Sequence, residues 1–372
     1  MSTLSHIRPS YMGTLLNCEG SVRLSTGCTS APSPAAERGT VLHELAHHCL
    51  LTGTEASTFV GQCRPLSEYR ITEHDAEQVQ AAVDYVDNLR ENKALFAEHQ
   101  VNFRRWVPAE VAHPTGTADI IMIGDNRLTI VDYKFGSRYV DVTDNKQLLF
   151  YALGAYDEFG LDYDFDLVEY IIVQPALDSY QHYSQTLNGL LREGEKAKEY
   201  LIKALSNPTP RYNPGTDACV YCLARHRCKA MADYTENLLK KSESEALSVD
   251  VLAQILDAAP AVKSFLDAVE SEALSRVERG DKIPGYKIVE SRTRRKYADD
   301  AEPALAELLG DEAYKTDLIS VTEAEKKLGK KHVFFKEHVI KPQGKPTIAP
   351  ETDKRPEISL TPAIDSFTDL DN

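Results

Sequence analysis

The sequence has no run approaching the ~20 consecutive apolar residues of a membrane-spanning helix, so no membrane association is expected. Its start, Met1-Ser2-Thr3-Leu4-Ser5-His6, has neither a basic segment nor an apolar stretch. No secretory signal is therefore expected, and the cytoplasm is the expected compartment. Positive charge is in short supply: 42 Lys+Arg face 57 Asp+Glu, for a net charge of −15. That balance argues against a generic nucleic-acid coat, which binds phosphate through Lys and Arg. It leaves a nuclease open, because an acidic body can carry a local basic track and a bound metal brings positive charge of its own. Internal repeats are absent, and Trp occurs once. What the chain has is bulk: 372 residues, 42% hydrophobic and 27% charged, enough for one large or two modest domains and unlike a disordered chain.

Seven cysteines in a reducing compartment are not expected to form disulfides. Cys18, Cys28, Cys49 and Cys63 are scattered, whereas Cys219, Cys222 and Cys228 cluster in Cys-x2-Cys-x5-Cys spacing. Three thiolates in one loop favour a metal over free thiols. A fourth ligand has to come from elsewhere, with Cys18 the candidate and His226 an alternative for zinc. Four thiolates suit either a 4Fe–4S cluster or a structural Zn2+, and the spacing does not choose between them.

Ser10 reads as the N-cap of a short helix over 10–24, followed by helices over 36–51 and 72–92, the second capped by Thr72. The period then changes. Segments 101–111, 117–123 and 128–135 are rich in β-branched and aromatic residues and read as strands, with Gly124-Asp125-Asn126 as a hairpin turn. A helix over 144–159, a strand over 167–174 and a helix over 188–205 follow. This order predicts an α/β core over 1–235, a mixed central sheet flanked by helices. A mainly helical extension over 236–348 follows, with two helices over 249–279, a strand near 286–290 and smaller helices near 302–309 and 322–328. Residues 351–372 hold six acidic and two basic residues, and 349–372 reads as a disordered acidic tail.

The hairpin carries the first candidate chemistry. Asp119 closes Gly116-Thr117-Ala118-Asp119, and Asp132-Tyr133-Lys134 lies in the next strand. A separation of 13 residues allows one strand, a tight turn and a return, which can bring both carboxylates to one end of a sheet. Two carboxylates and a Lys among apolar runs are costly unless a cation or hydrogen bonds compensate. Hard oxygen ligands of this kind suit Mg2+ or Mn2+. Alone, Asp-x-Lys reads as a salt bridge at a strand end; its companions change the reading. His43 lies on the helix preceding the sheet, and Gln147 and Tyr151, spaced i, i+4, share a face of the helix after it.

A competing pattern is His43-Glu44-Leu45-Ala46-His47, which matches His-Glu-x-x-His of zinc metalloproteases, with Glu44 as general base. A third ligand at the usual spacing is missing, since His74 and His113 are isolated. That reading also leaves the aspartates, Lys134, Gln147, Tyr151 and the thiolates without a role, so it ranks below a nuclease.

In register, these residues resemble the RecB-like branch of the PD-(D/E)XK nuclease superfamily: Gly39-Thr40-x-x-His43, Gly-x-x-Asp at Asp119, Asp132-x-Lys134 and Gln147-x-x-x-Tyr151. One N-terminal and three C-terminal cysteines are similar to its iron–sulfur subset, which includes CRISPR-associated RecB-like exonucleases. Ala36-Glu37-Arg38-Gly39-Thr40 and Pro284-Gly285-Tyr286-Lys287 are similar in texture to a phage-encoded family of this group. The resemblance implies phosphodiester hydrolysis with Mg2+ or Mn2+. His43, Asp119 and Asp132 would bind one or two cations, the Tyr133 carbonyl joining them. Lys134 would orient or activate water, and Gln147 and Tyr151 would position the DNA strand. Glu110, one strand upstream, is a possible extra acidic member. Cys18, Cys219, Cys222 and Cys228 would hold the cluster as a staple closing a loop of about 200 residues. Where relatives often carry Pro, Glu19 follows Cys18.

The extension holds two basic stretches, seven Lys against one Glu over 326–345, with Phe334-Phe335 interleaved, and five basic residues against Glu290 over 287–296. They could form a DNA track, or serve solubility alone. The expected function is a DNA exonuclease of phage recombination or replication, working with a single-strand annealing or binding protein. A catalytically silent DNA-binding protein of the same fold is the alternative. Polarity, strand preference and oligomeric state are not encoded in any motif.

Overall fold

The computed structural model describes residues 4–29, 33–63, 68–240, 248–293, 295–298, 300–314, 318–319, 321–329, 331–340, 342–344, 346–350 and 356–358. The chain divides into two compact units, Met1–Leu266 and Asp267–Asn372. Among the described residues no helix is long and apolar enough to cross a membrane.

The first unit begins with two short helices, α1 (Met12–Asn17) and α2 (Glu19–Leu24), where one was expected. They part at Cys18, whose extended backbone (φ −139°, ψ 105°) interrupts the helical path. Helix α3 (Pro34–Thr52) starts on a Ser33 cap and ends at left-handed Gly53. Helix α4 (Glu73–Leu89) starts on a capping box between Thr72 and Asp75.

A five-stranded mixed sheet follows, in the order β1 (Ala94–Asn102), β2 (Thr115–Gly124), β3 (Arg127–Tyr133), β4 (Leu167–Gln174) and β5 (Ser179–Thr186). Only the β3–β4 pairing is parallel, and it spans the crossover helix α5 (Lys146–Phe159), capped by Asn145. The β2–β3 turn places Asp125 and Asn126 at positive φ, as a two-residue hairpin of this hand requires. Helices α6 (Leu187–Ser206), α7 (Asp217–Val220), α8 (Lys229–Lys240) and the start of α9 (Val249–Glu278) complete the unit. α1, α2, α5 and α6 bury one face of the sheet, around Phe150, Trp106 and Ile130; α3 and α4 bury the other, around Leu42, Val79 and Val131.

One strand assignment shifts and one strand goes unforeseen. The strand expected over 101–111 ends at Asn102, and the residues beyond wrap the fully buried Phe103 and Trp106. The Trp106 indole donates to Asp157 Oδ2 at 2.8 Å. Apolar density there reflects a core-facing loop. β5 escapes sequence reading because Ser179-Tyr180-Gln181-His182-Tyr183-Ser184-Gln185-Thr186 is an edge strand with polar residues on its open face.

The first unit runs past 235, the expected domain end. Ser264 Oγ donates to Val220 O at 2.7 Å, and Arg225 Nε donates to Ser264 O at 3.1 Å, tying α9 to the segment that carries the cysteines. α9 is also one helix where two were expected, with Pro260 inside it.

The second unit pairs β6 (Tyr286–Glu290) with β9 (Pro346–Pro350) and β7 (Lys296–Tyr297) with β8 (Val339–Ile340). Helices α10 (Ala301–Leu309), α11 (Val321–Leu328) and α12 (Val333–His338) pack around Leu305, Phe334 and Phe335. Both phenylalanines are therefore core residues, which removes them from any base-stacking surface on the basic stretch. The expected tail over 349–372 is corrected at its start: 349–350 belong to β9, and Ile358 N donates to Ile288 O at 2.9 Å. Residues 351–355 and 359–372 lie outside the described residues.

Candidate functional site

Helix α3 delivers His43 to the C-terminal side of β3. Its neighbour Arg38 sets the helix in place: the guanidinium donates from Nε to Asp75 Oδ1 at 2.9 Å, from Nη1 to Phe135 O at 2.7 Å and from Nη2 to Gln78 Oε1 at 3.3 Å. One side chain thus couples α3 to α4 and to the chain one residue past Lys134. Gly39, one turn before His43, lines an open cavity of about 780 Å³ shared with Thr40, His43, His47, Glu98 and Asp119.

Asp119 reaches this cavity through a break in strand alternation. Leu95, Ala97, Ile120 and Met122 pack on the α3–α4 side of the sheet, whereas Val101 and Ala118 pack on the α5 side. Strict alternation would keep 95, 97, 99 and 101 on one face, and 118, 120 and 122 likewise. The switch occurs at one level. Ala97 pairs with Ile120 and His99 with Ala118, while Glu98, between them and opposite Asp119, takes a left-handed φ of 49°. Such a backbone is uncommon for a residue other than Gly and concentrates at functional sites. The switch turns Asp119 toward His43, whose Nδ1 lies 3.1 Å from Asp119 Oδ1. Asp119 Oδ2 accepts from Tyr133 N at 2.7 Å, which holds the two strands in register there. Gly116 of the Gly-x-x-Asp motif is required by contact, since a Cβ would come within 2.6 Å of Pro9 and 3.0 Å of Tyr151.

Asp132 and Lys134 occupy the other side, facing α5. Lys134 Nζ sits 2.5 Å from Asp132 Oδ2 and donates to Gln147 Oε1 at 3.3 Å. Gln147 Nε2 donates to Asp132 Oδ1 at 2.9 Å and to Tyr151 OH at 3.2 Å. Asp132 and Tyr151 are buried. Burial pushes the Asp132 carboxyl above its ordinary range; Lys134 opposes the rise, and the Asp119 charge adds to it. Burial opposes the Lys134 ammonium, but Asp132 and Asp119 outweigh it and hold Lys134 protonated above the usual lysine value. At His43 burial is likewise outweighed by Asp119 and Asp132, which raise the imidazole. Tyr151 is pushed up by burial first and by Asp132 next.

The structure therefore brings His43, Asp119, Asp132, Tyr133, Lys134, Gln147 and Tyr151 to one end of the sheet. Glu110 does not join them: it is exposed and lines a separate groove with Arg104, Arg105 and Lys198. The acidic residue that does is Glu98, whose ligand oxygen lies within 4.8 Å of those of His43 and Asp119. Sequence reading missed it because its signal is a backbone conformation, which no residue spacing announces. One imidazole and several carboxylate oxygens form a donor set that fits Mg2+ or, with the nitrogen, Mn2+. For the protease reading, His47 lines the same cavity, yet it is not among the donors grouped with His43.

The cysteines converge too. Cys18, Cys219, Cys222 and Cys228 line one small cavity with Thr14, Tyr212 and Met231, and His226 is absent from its lining. The hydroxyl of Tyr11 donates to Cys222 Sγ at 3.6 Å and accepts from Leu223 N at 2.8 Å. The side chain of Glu19 accepts from Asn207 Nδ2 at 2.6 Å and from Arg211 N at 3.0 Å, clasping the proline-rich approach against α2. Burial raises the Cys222 and Cys228 thiols, and neighbouring cysteines add to the rise, a charge conflict that a bound cation relieves. Four cysteines lining one cavity supply the donor set that either a structural zinc or a 4Fe–4S cluster takes.

Comparison with known proteins relates this chain to a solved structure and to a protein family. The solved crystal structure of SSO0001 is similar at 15% sequence identity and a TM-score of 0.29, over 60% of this chain and 86% of that one. The model of DUF2800, described as a protein of unknown function, matches residues 6–356, nearly the whole sequence, and the chain belongs to that family.

Proposed function

We propose that this protein is a divalent-metal-dependent DNA nuclease of the RecB-like PD-(D/E)XK type, an exonuclease in its natural setting, with a 4Fe–4S cluster as a structural staple. The observation that carries this reading is the arrangement of Asp119, Asp132 and Lys134 at one sheet end, with His43 on one side and Gln147 and Tyr151 on the other. His43, Asp119, Asp132 and the Tyr133 carbonyl would between them hold one or two Mg2+ or Mn2+ ions. A divalent cation there supplies Lewis-acid polarisation of a scissile phosphate. Lys134, kept charged by its carboxylate neighbours, can orient an attacking water and stabilise charge that develops on the phosphate. Gln147 fixes Asp132 and Lys134 together, so neither has to reorganise during reaction. Tyr151, hydrogen-bonded to Gln147, would help position the DNA strand.

Cys18, Cys219, Cys222 and Cys228 would ligate the cluster, which closes the loop between α1 and α7. The cytoplasm, a phage setting and a single-strand annealing partner extend the same reading. The test is release of acid-soluble nucleotides from linear duplex DNA with Mg2+ or Mn2+. Hydrolysis that disappears in both Asp132→Ala and Lys134→Ala is expected; activity surviving in either variant overturns the assignment.

A further inference from the structure

Asp132 and Glu98 approach Asp119 from opposite faces of the sheet. The Asp132 oxygens are engaged by Lys134 and Gln147 on the α5 side. Glu98 faces the 780 Å³ cavity on the α3 side and makes no hydrogen bond or ion pair among the described residues. Its carboxylate, the His43 imidazole and the Asp119 carboxylate present donor atoms within 4.8 Å of one another, and Asp132 is outside that group. The three donors come from three separate elements, α3, β1 and β2, and one is an imidazole. A patch of surface acids would supply neither feature. Asp119 has one oxygen toward His43 and the other toward Tyr133 N, so it borders both faces.

We propose that Glu98 completes a second cation position, formed by Glu98, His43 and Asp119 on the cavity side, distinct from a position at Asp132 and sharing Asp119 with it. The nitrogen donor favours a first-row transition cation such as Mn2+ over Mg2+ at this position. The cavity beside these donors is wide enough to admit water or a phosphate group. The inference rests on reading this sheet end as a divalent-cation site, and it concerns binding, so it can be tested without DNA.

The experiment is Mn2+ titration of the full chain, purified with its cysteine centre intact, following the signal of free aqueous Mn2+ by electron paramagnetic resonance. Two Mn2+ are expected per wild-type chain. Glu98→Gln should weaken one of them by ~10-fold or more, Asp132→Asn the other, and Glu110→Gln neither. His43→Gln removes a donor of the proposed position from a different element and should affect the same ion as Glu98→Gln. Thermal melting checks that each variant is folded. Titration of Glu98→Gln indistinguishable from wild type overturns the proposal. So does loss of the same single ion in Glu98→Gln and Asp132→Asn. Two-ion binding with the expected pattern but no DNA hydrolysis sinks the nuclease reading and leaves this one standing; hydrolysis with unaltered Mn2+ binding in Glu98→Gln does the reverse.

Discussion

Around the cysteines the chain closes a cavity: α1, α2, the proline-rich segment and α7 all turn inward, and Tyr11 and Glu19 fasten them from within. Around Asp119 it leaves one open, with Glu98 on its wall and making no hydrogen bond or ion pair among the described residues. The donors differ in the same sense, soft sulfur in the enclosed centre and hard oxygen in the open one. An enclosed soft site holds chain segments together, as structural metal centres do, while an open hard site leaves coordination positions for substrate. Under the proposed function the first centre would supply stability and the second chemistry, and each role can be broken separately.

The largest effect is expected at the closed centre. Cys222→Ser should remove the visible absorption of an iron–sulfur protein near ~400 nm and lower stability by several kcal/mol, because metal binding is coupled to folding. A colourless wild-type protein with one bound zinc would keep the staple and refute the cluster. At the open centre, Asp132→Asn should lower DNA hydrolysis by about 10³-fold, the cost of losing a charge matched to the transition state, with thermal melting nearly unchanged. Melting that falls as far as in Cys222→Ser would erase the distinction between the two centres.

Arg38→Ala sharpens the comparison from a residue in neither centre. It strips Asp75 of its cation and Phe135 O of a donor, and should destabilise by about 2 kcal/mol. The Asp75 carboxyl is pushed up by burial but held below its ordinary value by Thr72, Tyr69 and Arg38. A depressed folded-state pKa contributes stability fully present above the unfolded carboxylate value and lost as pH falls through the folded one. Melting followed from about pH 7 to about pH 3 should therefore drop less steeply in Arg38→Ala than in wild type. The smallest effect is expected for Thr72→Ala, which removes the α4 cap and should cost about 1 kcal/mol with hydrolysis unchanged.

Much of this was legible in the sequence, for reasons visible in particular elements. β4 and β6 lie where alternation and apolar runs place them, and Thr72 and the Asp125-Asn126 turn act through local chemistry that spacing reveals. The meeting of Asp132, Lys134, Gln147 and Tyr151 follows from a strand and helix of ordinary period. Glu98 was hidden, because its placement depends on a left-handed residue that reverses the faces of β1 and β2 together. Trp106 misled in the opposite way, as an apolar loop that reads as a strand. Phe334 and Phe335 look like a stacking surface among lysines until their burial in the second unit is seen. The clasp by Glu19 was equally invisible, since it joins residues about 190 positions apart that no local pattern connects.

The most direct test of the account is an anomalous difference map from crystals of the chain grown with Mn2+. The account predicts manganese peaks in contact with Asp119, flanked by Asp132 on one side and by His43 and Glu98 on the other. Manganese held between His43 and His47, with Asp119 and Asp132 both uninvolved, would contradict it.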